Sequence, residues 1–484
     1  MSENDLISKI QTSIDKGLKY AEKAGAEQAE AFGLYRQSLS LTLEKDKPKH
    51  NLGILHGISF RVISNKAIGF AYTSAFDEES IKKAVDTAIQ NTKAIPPDEN
   101  IIDFTEPKKV QQLPLDKKTY ELDPEEASEV FEALLQEKLP KNIYFLQAMG
   151  IFMSSDIFLK NSHGLDLNEK SAGYGLGIGF LSTHGFPTYD FHLEGSREWG
   201  TLNPETITQR ALDKTLESAN PRTLNLAGEY PVILTPEATY GLFGGLFMVL
   251  SSILQGDKAS RGETPYADKI GEQIAPDNFT LIDDPLDTNM MFATAFDGEG
   301  TPTQRTPLIK NGILQTYYLD RYYAHKLNME SNGKAVRGGI FEDNPVKAPP
   351  SIGSYCTVIE PGDASYEEMI AETREGFIIK SAMGIHMSDF SSGRFAITGT
   401  GWYIKNNEVK YPVQDISISG TIPDLLQNID MISKERVQGL YSLVPYLRIS
   451  KLNIAAKKLD FKVRFGLKIL KLLIKLGIVQ NPFI

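Results

Sequence analysis

Apolar and polar positions along this chain switch between two periods, and the switches predict a helix–sheet–helix plan used twice before a long strand-rich stretch. Leu6, Ile7, Ile10, Ile14, Leu18 and Ala21 fall at helical spacing, which predicts an amphipathic helix over residues 6–24 closed by Gly25. Over 30–44 the pattern shortens to alternation and predicts strands. Residues 57–63 and 67–72, joined by Ser64-Asn65-Lys66, give a hairpin signal. Ile81, Ala84, Val85, Ala88 and Ile89 then return to one helical face within 74–94, and Pro96-Pro97-Asp98 closes the unit.

A polar, proline-bearing connector over 100–118 separates this module from the next. Asp123-Pro124-Glu125-Glu126 opens a helix reaching toward Gln136. Glycine-punctuated strands follow over 143–153, 156–161, 173–181 and 188–196, and a helix over 204–220 carries Ile207, Ala211, Leu212 and Leu216 as its stripe. From Gly228 onward strands and glycine turns dominate, with hairpins at 309–314 and 404–409 and short helices near 320 and over 367–376. The predicted fold is α+β. Two N-terminal helix–antiparallel-sheet modules, 1–99 and 119–224, precede a β-rich, barrel-like domain over 228–454.

The last thirty residues, 455–484, depart from this pattern. They hold Lys457, Lys458, Lys462, Arg464, Lys468, Lys471 and Lys475 against the single acid Asp460, with Leu467, Leu470, Ile474 and Leu476 near helical spacing. Such a basic amphipathic segment suits an anionic membrane surface. Its more ordinary role is a helix docked on an acidic body, since +6 in this tail leaves −17 for the rest. The docked reading is preferred here.

Composition narrows the field only at its edges. A chain of 484 residues exceeds one ordinary core, and 41% hydrophobic with 23% charged residues is a soluble balance. The net charge of −11 argues against nucleic acid as the main partner. A single cysteine, Cys356, excludes an internal disulfide and any zinc site needing several thiolates from one chain. The polar start Met1-Ser2-Glu3-Asn4-Asp5 is no secretory signal, and no apolar run approaches the ~20 residues that span a bilayer. A cytoplasmic protein is expected.

The most site-like frame is the run Val232 to Leu234 into Thr235-Pro236-Glu237. A strand there feeds a helix predicted to continue to about Leu254, with Thr235 as N-cap and Pro236 at the first helical position. Glu237 lies in the first turn, where the helix dipole favours a carboxylate. No histidine, cysteine or second acid follows within several residues, so Glu237 alone reads as a dipole partner rather than a general base. His50, His56, His163, His184, His192, His325 and His386 form no metal-binding spacing, although His184 and His192 are predicted near enough to meet. The loop Phe296-Asp297-Gly298-Glu299-Gly300-Thr301-Pro302-Thr303-Gln304-Arg305 gathers two carboxylates, glycines and an arginine. Asp297, Glu299, Gly300 and Arg305 are therefore candidate binding residues for a cation or a peptide amine. Asp283-Asp284-Pro285-Leu286-Asp287 reads as a solvated turn, Cys356 as an inert core thiol, and Ser391-Ser392-Gly393 lacks a nucleophile's setting.

Three blocks carry a resemblance. The first is Phe296 to Gln304 with Ile309-Lys310-Asn311-Gly312-Ile313-Leu314 and Asp320-Arg321-Tyr322-Tyr323-Ala324. The others are Asn161-Ser162-His163-Gly164, and Asp389-Phe390-Ser391-Ser392-Gly393 through Trp402-Tyr403-Ile404 to Pro412-Val413. In order and spacing the chain resembles the TldD/PmbA (TldE) family. That family implies a cytosolic heterodimer in which the TldD subunit is a zinc peptidase, with His-Glu-x-x-x-His on the helix after this strand and a later cysteine ligand. Here the matching stretch is Pro236-Glu237-Ala238-Thr239-Tyr240-Gly241. Pro236 and Gly241 stand where the histidines would, and nothing after Cys356 supplies the thiolate. By resemblance the chain is similar to the zinc-less TldE (PmbA) subunit, with no cofactor of its own, zinc in a TldD-like partner and unfolded peptides as substrate. The other reading is a self-standing homodimer that captures peptides or small molecules without catalysis.

Overall fold

The computed structural model describes residues 3–44, 47–135, 138–240, 245–338 and 344–456. The N-terminal half comprises α1 (Glu3–Lys23), β1 (Gln28–Glu44), β2 (Lys47–Ser64), β3 (Ala67–Thr73), α2 (Glu78–Ala94), α3 (Lys117–Glu121) and α4 (Pro124–Glu132). β4 (Ile143–Asn161), β5 (Asp166–Ser182), β6 (Thr188–Ser196) and α5 (Pro204–Glu217) complete it. The strands of both predicted modules join through β1 and β4 into one antiparallel sheet, ordered β3-β2-β1-β4-β5-β6. The strands expected over 30–44 are a single one, β1, and those expected over 143–153 and 156–161 are both β4. The β2–β3 turn places Asn65 and Lys66 at φ 49° and 52°, the mirror-image turn that matches strand twist.

The helices cover one face of this sheet. Ile10 and Ile14 of α1 and Ile81 and Val85 of α2 bury against Ala31, Phe60 and Val62. Phe131 and Ala211 bury against Leu39, Leu41, Phe152 and Leu176. Residues of opposite parity on β1, Phe32 and Leu34, point through the other face and meet Ala295 and Phe296. The sheet thus presents its second face to the C-terminal half.

That half runs β7 (Leu226–Leu234), α6 (Pro236–Tyr240), α7 (Phe247–Ile253), α8 (Gly256–Ser260), β8 (Leu281–Asp283), β9 (Thr306–Lys310), β10 (Ile313–Leu314) and α9 (Arg321–Lys326). β11 (Ala335–Val336), β12 (Ser351–Ile352), β13 (Thr357–Ile359), α10 (Tyr366–Ala371) and β14 (Glu375–Met383) follow. It ends with β15 (Arg394–Lys405), β16 (Glu408–Thr421), α11 (Ile422–Gln427), β17 (Ile429–Gln438) and β18 (Ser442–Ala456). β7, β14, β15, β16 and β18 pair in a closed ring, because β18 bonds both β16 and β7. Alternate residues fill its interior, Val232, Leu234, Ile379, Ile397, Ile416 and Leu447 among them. The barrel-like expectation therefore takes the form of a five-stranded barrel, with β13, β8, β9 and β10 extending from β18.

Two predicted helices are shorter than expected. The helix read over 235–254 is interrupted, since Gly245 and Leu246 are not helical and Leu246 N bonds back to Ala238 O. A Cβ at Gly245 would lie 2.2 Å from Thr239 O, so the chain passes α6 too closely for any side chain. The helix read over 367–376 stops at Ala371, because Glu375 already pairs with Lys405 in the barrel. Gln136 and the tail from residue 457 onward lie outside the described residues.

Candidate functional site

β7 and β14 run parallel until β7 ends at Leu234 opposite Ile379, and the chain leaves β7 there while β14 continues to Met383. Thr235 fixes the corner: its N–H donates to Ile379 O at 3.0 Å and its hydroxyl donates to Lys380 O at 3.1 Å. The same hydroxyl accepts from Ala238 N at 3.3 Å, as an N-cap does. Glu237 on the next turn faces α5 and the edge strand β6.

Its partner is not the dipole alone. Lys214 Nζ of α5 donates to Glu237 Oε1 at 2.6 Å and to His192 Nδ1 at 3.0 Å. An ammonium has no lone pair, so Nδ1 must be the acceptor and His192 is held as the Nε2–H tautomer. That Nε2 donates to Glu194 Oε1 at 2.8 Å, and Glu194 also binds Arg210. Period two on β6 and a four-residue step on α5 bring these groups face to face. Lys380 of β14 forms an ion pair with Asp190, donates to Lys214 O at 3.1 Å and Ser218 Oγ at 2.7 Å, and lies 5.6 Å from the Trp402 ring.

Burial acts on the two halves of this network differently. It would raise the carboxyl of Glu237, but the charge and hydrogen bond of Lys214 outweigh it and hold the carboxyl below its ordinary value. The Glu237 side chain keeps 42% of its exposure, so this pair contributes little to stability. At Asp190 and Lys380 burial prevails over pairing, raising the acid and lowering the amine. The rings of Tyr446 of β18 and Tyr366 pack at 4.4 Å, and burial with the Glu237 charge pushes the Tyr446 hydroxyl up to about 12.

Every acid here has its own cation, Glu237 with Lys214, Glu194 with Arg210 and Asp190 with Lys380. The donor set does not fit a divalent cation. Lys214 occupies the one motif carboxylate, and both nitrogens of His192 are engaged. His184, expected near His192, sits in the turn after β5 and bonds Lys141 O and Asn142 instead. Among the described residues no group of three or more His, Cys, Asp or Glu is placed to hold a metal ion. Pro236 is buried at the first helical position, and Gly241 lies outside the described residues.

The loop at 296–305 is a buried junction, not an open binding edge. Asp297 accepts from the N–H groups of Glu299, Thr301 and Ala335 at 2.9, 2.9 and 3.1 Å. Glu299 pairs with Arg61 at 3.0 Å and accepts from Arg321 N at 2.9 Å. Arg61 and Arg337 then converge on Glu30, fully buried in the sheet. Gly300, at φ +76°, fits under Leu165 and Leu159 where a Cβ would not. Arg305 stands apart on the surface with Asp284 and Glu360. The acidic turn at 283–287 is not solvated throughout either: Asp283 and Lys334 form a fully buried pair at 2.7 Å. Cys356 is buried, and burial followed by Asp283 pushes its thiol well up.

A helix-backed antiparallel sheet docked on a small closed barrel, with an acid at the strand–helix corner, is the scaffold that the comparisons with known proteins meet. A family model described as PmbA/TldA metallopeptidase C-terminal domain matches residues 227–456, and one described as PmbA/TldA metallopeptidase domain 1 matches 29–92. Together they span more than half of the sequence, and the chain belongs to the PmbA/TldD family. A metalloprotease PmbA homolog of Haemophilus influenzae is 26% identical over 469 residues, 91% of this chain and 96% of that protein. A zinc metalloprotease TldD homolog of Saccharolobus solfataricus is 26% identical over 433 residues, 87% of this chain and 92% of that one. Among solved structures, TldE from Thermococcus kodakarensis superposes with a TM-score of 0.80 at 26% identity, covering 92% of this chain and all of that one.

The sequence pointed to Glu237 but missed Lys214, Arg210, Asp190 and Lys380. The signal available was the alternation Asp190, His192, Glu194 beside Arg210 and Lys214 one helical turn apart.

Proposed function

We propose that this chain is the zinc-less, TldE (PmbA)-type subunit of a TldD/TldE-type metallopeptidase, pairing with a zinc-bearing TldD-type chain and walling a chamber for unfolded peptides. The observation that carries this reading is the Lys214 ammonium seated on Glu237, the only member of the family motif present in this sequence. A carboxylate so paired is a poor base, because its proton affinity is lowered and its oxygen is taken. Both ring nitrogens of the resident His192 are in use, Nδ1 with Lys214 and Nε2 with Glu194, so neither is free to serve as a ligand. What the chain contributes is shape. Its sheet, barrel and junction keep one family fold rigid, and a dimer of related chains needs only one reactive centre. Zinc, on this reading, belongs to the partner, and the cytoplasm is where the pair works.

Purification of this chain alone and mixed with the TldD-type chain of the same organism tests the proposal. The expected result is no peptide hydrolysis alone, a one-to-one complex by size-exclusion light scattering, and hydrolysis of an unfolded peptide by the complex. Hydrolysis by this chain alone, or a stable homodimer that ignores the TldD-type chain, refutes it.

A further inference from the structure

Along β1 the even-numbered residues point to the sheet's second face, and three of them are charged, Glu30, Arg36 and Glu44. Glu30 takes up Arg61 and Arg337, and Glu44 pairs with Lys49 at 3.5 Å. Arg36 has no acid. Its Nε donates to Ser155 Oγ of β4 at 3.1 Å, and among the described residues no carboxylate forms an ion pair with it. Glu169, on the same face of β5, accepts instead from Thr294 Oγ1 and Ala295 N at 2.6 and 3.0 Å. The Arg36 side chain is half-buried, and burial lowers its proton affinity with no neighbouring charge to oppose it. A solvated arginine needs no acid, but this one has given up part of its water.

Arg36 stands where the docked part of this face ends. Leu34, one step before it, is fully buried in the cluster that holds Ala295, Phe296 and Val346. One step beyond, the face opens: Ser38, Ser40 and Thr42 of β1 are half-buried, and so are Met153, Ile151 and Met149 opposite them on β4. The open part is thus two parallel lanes, one of hydroxyls and one of flexible apolar side chains, about 20 Å long from 36 to 42 at the rise of a strand. Hydroxyls both donate and accept, so the first lane can serve main-chain N–H and C=O groups of any sequence. Methionines adapt to side chains of different shape, so the second is equally tolerant.

Charge complementarity selects what lies there. With Nε spent on Ser155, the guanidinium still presents the fork of its two terminal nitrogens, which matches a carboxylate bidentately. This uncompensated cation sits at the closed end of the lanes, so an extended chain lying in them is best held by an acid at that end. We propose that Arg36 anchors a carboxylate of a peptide lying along Ser38 to Thr42. The inference rests on the subunit reading above for the class of ligand, and on this face alone for the place and the charge.

Fluorescence anisotropy on the full chain alone tests this, since every residue named belongs to it. The probes are a short labelled peptide of neutral residues with a free carboxyl terminus, the same peptide as its C-terminal amide, and that amide with one internal aspartate. The free acid is expected to bind about tenfold or more tighter than the plain amide. An aspartate amide that matches the free acid makes any peptide carboxylate a ligand, and one that matches the plain amide restricts the site to chain ends; both support the anchor. Arg36→Gln is expected to bind all three probes alike, at the level of the amide, and to keep its Tm, because no acid loses its cation. Arg36→Lys keeps the charge without the fork and is expected to retain only part of the preference; it decides if the glutamine variant does not fold. Failure of every probe to bind, equal binding of acid and amide, or a preference that survives Arg36→Gln or is undiminished in Arg36→Lys overturns the proposal. Pairing with the TldD-type chain is read separately by light scattering. A chain that prefers the acid yet never pairs keeps this anchor and loses the subunit reading, and the converse result does the opposite.

Discussion

Two ionic networks join the N-terminal sheet to the C-terminal half, and they are built in opposite ways. At the junction, Glu30, Arg61, Arg337 and Glu299 are at most 10% exposed, and their charges balance away from water. At the α6 corner, Glu237 is 42% and Arg210 56% exposed, with water within reach of both. A buried network cannot lose a member without stranding its partner, whereas an exposed one exchanges members for solvent. The junction therefore fixes the architecture. At the Glu237 and Arg210 end of the corner a fold can trade one chemistry for another at small cost to stability, whereas Asp190 and Lys380 beside it are each only 11% exposed.

The sharpest way to break this contrast is at Arg61. Arg61→Met leaves buried Glu299 without its cation and Glu30 with Arg337 alone, and is expected to cost about 3–5 kcal/mol in urea unfolding; a loss below ~1 kcal/mol would mean the junction is wet. Gly300→Ala adds a Cβ 2.5 Å from Leu165 at a left-handed φ, with an expected cost of about 2–4 kcal/mol by the same measurement. A pH series sharpens it further. Burial, then the Glu299 charge, pushes the carboxyls of Asp297 and Asp320 up to about 7, outweighing the amide donors. The folded chain then holds protons that the unfolded chain releases above its ordinary carboxylate pKa of about 4. Stability is expected to fall as pH rises through that window, by at most about 1.4 kcal/mol per pH unit for each acid, and Asp320→Asn should flatten the slope. At the corner, Lys214→Met should change stability by less than about 1 kcal/mol. It should let the Glu237 carboxyl climb back toward its ordinary range, read by carbon-detected NMR titration. The sign at Glu237 is opposite to the junction acids: its lowered pKa adds stability above the unfolded value, lost as pH falls through the folded one. Smallest of all, Glu237→Ala should leave hydrolysis by the assembled complex within about threefold, and a loss of several hundred-fold would give the acid a chemical role.

What could be read from the chain and what could not follows from range. Helical stripes at Ile10 and Ile14 or at Ile207 and Ala211 are local, and so is the Asn65-Lys66 turn; each element stands where its pattern put it. Pairing of β1 with β4 joins residues more than a hundred positions apart, and no local pattern announces it. The same holds for chemistry. Glu237 was visible from its strand–helix frame, but Lys214 reaches it from another element. Asp297 and Glu299 carried a binding signature because acids and glycines in a loop look alike whether they face a ligand or their own backbone. Only the burial beneath β1 and β4 separates the two.

The central claim, that the family's acid is retained here in a chain without the family's metal, is tested most directly by elemental analysis. The full chain is purified alone after exposure to zinc, and zinc is counted per protein. The account predicts a value near zero, unchanged by Glu237→Ala. A value near one that falls in the Glu237 variant would contradict it, because the corner would then hold the ion that Lys214 is argued to exclude.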